Sequence, residues 1–173
     1  MGDQPDGEGE EKHLSGDRYV GSFRNRKRHG FGKYFWNDGH TYEGDWVNGD
    51  RTGRGLFKWA DGDMYDGAFV GNKMHGLGYF KWADGRSAFG EWREDKMNGE
   101  GVWRSADGDV YVGQFKDDKF EGQGVYFFNS GNRYEGLWQE GNKHGEGVYT
   151  NAGKKERGVW EKGVKKEVLE TWN

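Results

Sequence analysis

The chain contains no cysteine and a single proline among its 173 residues. Without thiols it has no disulfide framework and no thiolate metal site, a composition expected of a reducing compartment. No apolar run approaches the roughly 18 residues of a membrane-spanning helix, and no signal peptide stands before residue 20, so a soluble cytoplasmic protein is expected. Charge of one sign is missing too. Lys and Arg number 26 against 30 Asp and Glu, net −4, which gives no electrostatic reason to bind nucleic acid. Large aliphatic side chains are scarce, so a core of Leu, Ile and Val is not expected. What is abundant is ring area and bare backbone: 17% Phe, Trp and Tyr, and 33 glycines. Rings bury much surface each, and glycines let main chain and rings approach closely.

These residues recur. Tyr19, Tyr42, Tyr65, Ala88, Tyr111 and Tyr134 are spaced 23 apart, each followed two places on by Gly and four places on by Phe or Trp. The second half of each unit carries paired glycines, such as Gly30/Gly32 and Gly76/Gly78, then an aromatic (Tyr34, Phe57, Phe80, Trp103, Tyr126, Tyr149), and in four units a second ring (Trp36, Trp59, Trp82, Phe128). Alternation within each half reads as strand. Asp38-Gly39, Asp61-Gly62, Asp84-Gly85 and Asp107-Gly108 join the halves as turns. Parity requires a three-residue loop with its glycine left-handed; Tyr34 then opposes Tyr42, and Tyr42 opposes Phe57. The expected fold is all-β, an elongated single-layer antiparallel β-meander whose rings lie over side-chain-free positions.

In the pattern Tyr-x-Gly-x-aromatic, then Gly-x-Gly-x-aromatic-x-aromatic-x-Asp-Gly, the chain resembles MORN-repeat proteins across residues 19 to about 160, in six units and a partial seventh holding Gly158 and Trp160. Ala88, Ser105 and the shortened turn at Ala152-Gly153 depart from the pattern. The resemblance implies a twisted antiparallel sheet with an aromatic groove for partner peptides or helices, and cytoskeletal or ciliary settings such as radial spokes.

Around the array (17–163), residues 1–16 read as an acidic flexible tail, with Asp3, Asp6, Glu8, Glu10 and Glu11. Val164, Val168 and Trp172, at i, i+4 and i+8, predict a short helix in 164–173 that caps the last strand's edge. The Gly-x-Gly of His75–Gly85 is no phosphate loop, because no helix and no Lys-Ser/Thr follow. His29, His75 and His144 repeat too far apart to share a metal, and no Ser, His and Asp set is tied to a pocket. No cofactor and no catalytic activity are expected.

The expected partner-binding groove comprises Tyr42, Trp46, Trp59, Tyr65, Phe69, Trp82, Trp92, Trp103, Tyr111, Tyr134 and Trp138. A second candidate interface, for a partner or a homodimer, is the opposite-face patch of Tyr79, Phe89, Val102, Val112 and Val125. The leading expectation is a non-enzymatic scaffold binding an extended or helical protein segment in a cytoskeletal, ciliary or axonemal assembly. The alternatives are a phospholipid-binding membrane tether, against which the mixed charges Glu43, Lys58, Asp66 and Lys81 argue, and a regulatory subunit of an enzyme.

Overall fold

The structure, a computed structural model, describes residues 6–173; the first five, part of the predicted acidic tail and including Asp3, lie outside the described residues. Fifteen strands form one open antiparallel sheet in chain order, with no helix among the described residues. They are β1 (Gly7–Lys12), β2 (Arg18–Arg24), β3 (Lys27–Phe35), β4 (Thr41–Val47), β5 (Asp50–Lys58), β6 (Met64–Val70), β7 (Lys73–Lys81), β8 (Ser87–Arg93), β9 (Lys96–Arg104), β10 (Val110–Lys116), β11 (Lys119–Phe127), β12 (Arg133–Gln139), β13 (Asn142–Asn151), β14 (Lys154–Glu161) and β15 (Val164–Trp172). Contacts group them into two units. One runs through Ala83 and includes Arg93–Asp95; the other comprises Asp84–Trp92 and Lys96–Asn173.

In the first unit the expected register holds. Tyr34 opposes Tyr42, Tyr42 opposes Phe57, and Phe57 opposes Tyr65, beside a row that pairs Gly32 with Gly44, Gly44 with Gly55 and Gly55 with Gly67. The loop after β3 has three residues: the Trp36 N–H donates to the His40 carbonyl at 3.0 Å, and Gly39 has φ +94°. That left-handed geometry is what keeps Trp36 and Tyr42 on one face. Successive Asp-Gly hairpins are joined by two-residue turns with both φ values positive, such as Asn48-Gly49 (52° and 98°). In the second unit Trp103 opposes Tyr111, Tyr111 opposes Tyr126, and Tyr134 opposes Tyr149, beside Gly113–Gly124 and Gly136–Gly147 pairs.

The two ends correct the expectations. Residues 7–12 are strand rather than tail: Gly9 pairs with Gly21 and Glu11 with Tyr19, the register that Gly32 and Tyr34 keep with Gly44 and Tyr42. Gly7, Gly9, Glu11, His13 and Gly16 therefore form half a repeat in which acid and imidazole replace the rings. Residues 164–172 are a strand, not a helix. The turn Lys162-Gly163 (φ 49° and 82°) folds β15 back onto β14, so β15 becomes the sheet's edge instead of covering it.

Candidate functional site

The ring face is built by seating each repeat tyrosine on glycine. The Tyr42 hydroxyl donates to the Asp45 carbonyl at 3.0 Å and that of Tyr65 to Ala68 at 3.1 Å; in the second unit Tyr111 reaches Gln114 at 2.8 Å and Tyr134 reaches Leu137 at 3.1 Å. All four side chains are fully buried. A Cβ on Gly147 would lie 2.5 Å from the Tyr134 hydroxyl and 2.7 Å from its ring carbons. Only glycine leaves room for the ring there. Phe and Trp four residues on pack edge-to-face, as in Tyr65–Phe69 (5.2 Å) and Tyr134–Trp138 (5.3 Å), and Phe69 also meets Tyr42 of the preceding repeat edge-on at 5.2 Å.

A second row, also at 23-residue spacing, lies over the tyrosines: Arg28, Arg51, Met74, Met97, Phe120 and Lys143. The Arg51 guanidinium sits 5.7 Å from the Tyr42 ring, 4.9 Å from Phe57 and 5.6 Å from Phe69. Phe120 stacks on Tyr111 at 3.8 Å, and the Lys143 ammonium lies 5.0 Å from Tyr134. Bulges bring this row there: Gly44 pairs with Gly55 but Trp46 with Arg51, two residues being extra on β5. At the missing tyrosine, Ala88, the Met97 methyl fills the space over Gly90 and Gly101. Desolvation lowers the pKa of Arg51 and of Lys143, and burial pushes the Tyr19 and Tyr134 phenols up to about 12.

This cover decides which rings keep exposed area. Tyr42, Trp46, Tyr65, Phe69, Trp92, Tyr111, Tyr134 and Trp138 are all buried, at no more than 6% exposure. They are core, not the open groove expected of them. Trp59, Trp82 and Trp103 keep exposed area, as does Trp36. In the first unit Trp36, Phe57, Trp59, Phe80 and Trp82 form a continuous stack with centroid steps of 5.3, 4.4, 5.2 and 4.5 Å. The loops beneath it are locked together: the Ala60 N–H donates to His40 Nδ1 at 2.9 Å and the Ala83 N–H to Asp63 Oδ1 at 2.8 Å. In the second unit the Asn129 N–H donates to Asp109 Oδ1 at 2.7 Å, and this bond with that from the Tyr126 hydroxyl holds the Asp109 carboxyl below its ordinary value.

On the opposite face Val112 pairs with Val102 and Val125, a contiguous patch within the second unit. Val112 and Phe89 are exposed there, and Tyr79 is exposed in the first unit. Asp38 and Asp61 close their loops by accepting the backbone N–H two residues on. No group of three His, Asp or Glu among the described residues is arranged to hold a metal.

Among solved structures, the fold is similar to the TCP domain of SAS-4 from Drosophila melanogaster, solved in complex with a proline-rich motif of Ana2. The TM-score is 0.51 at 10% identity, over 92% of this chain and 97% of that one. The wild-type TCP10 domain of CPAP from Danio rerio scores 0.41 at 16% identity, over 90% and 81% of the two chains. None of the curated proteins compared matches in sequence. The MORN repeat profile matches residues 19–41, 42–64, 65–85, 89–110, 111–133 and 134–153, breaking only beside Ala88. On those six repeats, the chain belongs to the MORN-repeat family.

Proposed function

We propose that the chain is a non-catalytic scaffold that docks partner proteins on its ring face, at the stack of Trp36, Trp59 and Trp82, within a cytoskeletal assembly. One observation carries this: in the first unit the other rings of that face are buried, while these three indoles stay partly open in an unbroken line. Aromatic anchors with a polar rim are the usual energetic centre of a protein interface. The similar fold of SAS-4 is captured with a partner's peptide, which adds support by analogy of fold. The cilium and axoneme are settings that the family resemblance suggests.

The test is affinity capture from ciliated cells with the full chain and with a Trp59→Ala, Trp82→Ala double variant. Cytoskeletal partners lost by the variant, with its melting temperature kept within a few degrees, support docking on this strip. Equal capture by both proteins, or recovery of lipid vesicles or metabolic enzymes alone, overturns it.

A further inference from the structure

Resting on that docking face, we infer that its occupant is a proline-rich segment in the polyproline II conformation, basic between its prolines, running across the strands with every third residue seated on a tryptophan. Trp36, Trp59 and Trp82 repeat every second strand, about 9.6 Å apart at about 4.8 Å per strand. A polyproline II helix has three residues per turn at about 3.1 Å each, so its same-side residues recur every ~9.3 Å. The match is within a few per cent.

Other backbones do not fit this pitch. Along an α-helix of about 1.5 Å rise, 9.6 Å is roughly 6.4 residues, which turns the next side chain some 80° off the face. A β-strand of about 3.3 Å rise puts every third residue on its opposite side. Proline rings between indoles also bring little conformational entropy to lose, since polyproline II is preformed.

Charge complementarity sets the remaining residues. The loops that follow Trp36 and Trp59, Asn37-Asp38-Gly39-His40 and Ala60-Asp61-Gly62-Asp63, contain three aspartates and no Lys or Arg, and the one that follows Trp82, Ala83-Asp84-Gly85-Arg86, adds an aspartate and an arginine that pair with each other at 2.8 Å. On the inner margin Arg51 is already engaged with rings and with the Asn72 carbonyl at 2.8 Å. Lysines or arginines between prolines therefore face carboxylates along the loop edge. The loop-to-loop bonds from Ala60 to His40 and from Ala83 to Asp63 hold the indole spacing fixed before any ligand arrives.

The experiment is titration of the full chain, followed by tryptophan fluorescence and calorimetry, with three synthetic peptides. One repeats Pro-Ala-Lys; one has the same composition with prolines at irregular spacing; one is an amphipathic helix-former of equal charge. The triplet peptide is expected to bind at least about tenfold more tightly than the others, and Trp59→Ala to remove at least tenfold while leaving the melting curve in place, tenfold being about 1.4 kcal/mol. Equal affinity for the irregular peptide, or no binding of the triplet peptide, overturns the inference. Preferred binding of the helix-former with the same Trp59 dependence also overturns it, yet leaves docking on the strip standing. Binding of any peptide that ignores Trp59→Ala counts against both.

Discussion

Replacing Gly147 with alanine asks whether the tyrosines rest on bare backbone. The new Cβ falls 2.5 Å from the Tyr134 hydroxyl and 2.7 Å from two ring carbons, where ordinary contact starts near 3.4 Å. The ring must retreat by about 1 Å, but it is held by its bond to the Leu137 carbonyl and wedged edge-on between Trp138 (5.3 Å) and Trp160 (5.0 Å). Overpacking costs about 1–3 kcal/mol and an orphaned buried hydroxyl about 1–3, so a loss of about 2–6 kcal/mol is expected. At roughly 2–4 °C per kcal/mol the melting temperature falls by about 4–24 °C. Gly101→Ala is the control at a matching glycine of the same unit. Its Cβ meets first the Met97 methyl at 2.7 Å, which can swing away, then the Phe89 carbonyl at 3.0 Å, so about 1 kcal/mol is expected. Both changes reduce the freedom of the unfolded chain alike, and that contribution cancels in the comparison. Urea and thermal unfolding followed by circular dichroism provide the readout, with m-values checked because repeat arrays can lose cooperativity. Melting temperatures within about 2 °C of each other refute the reasoning.

Alkali attacks the same packing. Burial raises the Tyr19 and Tyr134 phenols to about 12, and raises Tyr42, Tyr65 and Tyr111, from an ordinary value of 10.0, so the folded state favours the neutral form. Their stabilisation is whole below pH 10 and is lost as pH climbs toward the folded values; melting temperature should fall above pH 10, and tyrosinate absorbance from these residues should rise together with unfolding rather than before it. Ala88→Tyr should add about 1–2 kcal/mol, because the preceding repeat buries both Tyr65 and Met74, the residues equivalent to Ala88 and Met97; a lower melting temperature would mean the Met97 filling is already optimal. Removing residues 1–12 should lower stability and expose the β2 amides to hydrogen exchange, since β1 pairs with β2 along its length; unchanged exchange at β2 would contradict that pairing.

Much of this was legible from spacing. Period two within each half-unit, Asp-Gly loops and the parity of Trp36 against Tyr42 lead directly to the sheet, the register and the face. The ends were not read correctly, for identifiable reasons. Gly7-x-Gly9 carries the repeat's glycines, but Glu11 and His13 replace the rings, so its acidic composition resembles a solvated tail. In 164–172 the i, i+4, i+8 spacing of Val164, Val168 and Trp172 coincides with alternate positions of a strand, while Lys162-Gly163 held the turn signal that decides the matter. Depth on the ring face was the larger miss. Alternation places Arg51 and Lys143 beside the rings, but a charged side chain ordinarily faces solvent, and nothing in the spacing marks these two as covering residues. Their long stems and cationic heads instead lie over tyrosines and phenylalanines. That cover, with Phe120 stacked on Tyr111, turns Tyr42, Tyr111 and Tyr134 from binding candidates into core and leaves the Trp36–Trp82 stack partly open.

Proton NMR of the full chain tests ring-on-glycine packing most directly. The Hα resonances of Gly55, Gly78, Gly124 and Gly147 should be displaced upfield by ring currents and show cross-relaxation to the ring protons of Tyr42, Tyr65, Tyr111 and Tyr134 respectively, while Gly101 shows it to the Met97 methyl. Glycine Hα shifts at ordinary strand values, with no contact to tyrosine rings, would contradict the packing on which the open tryptophan strip depends.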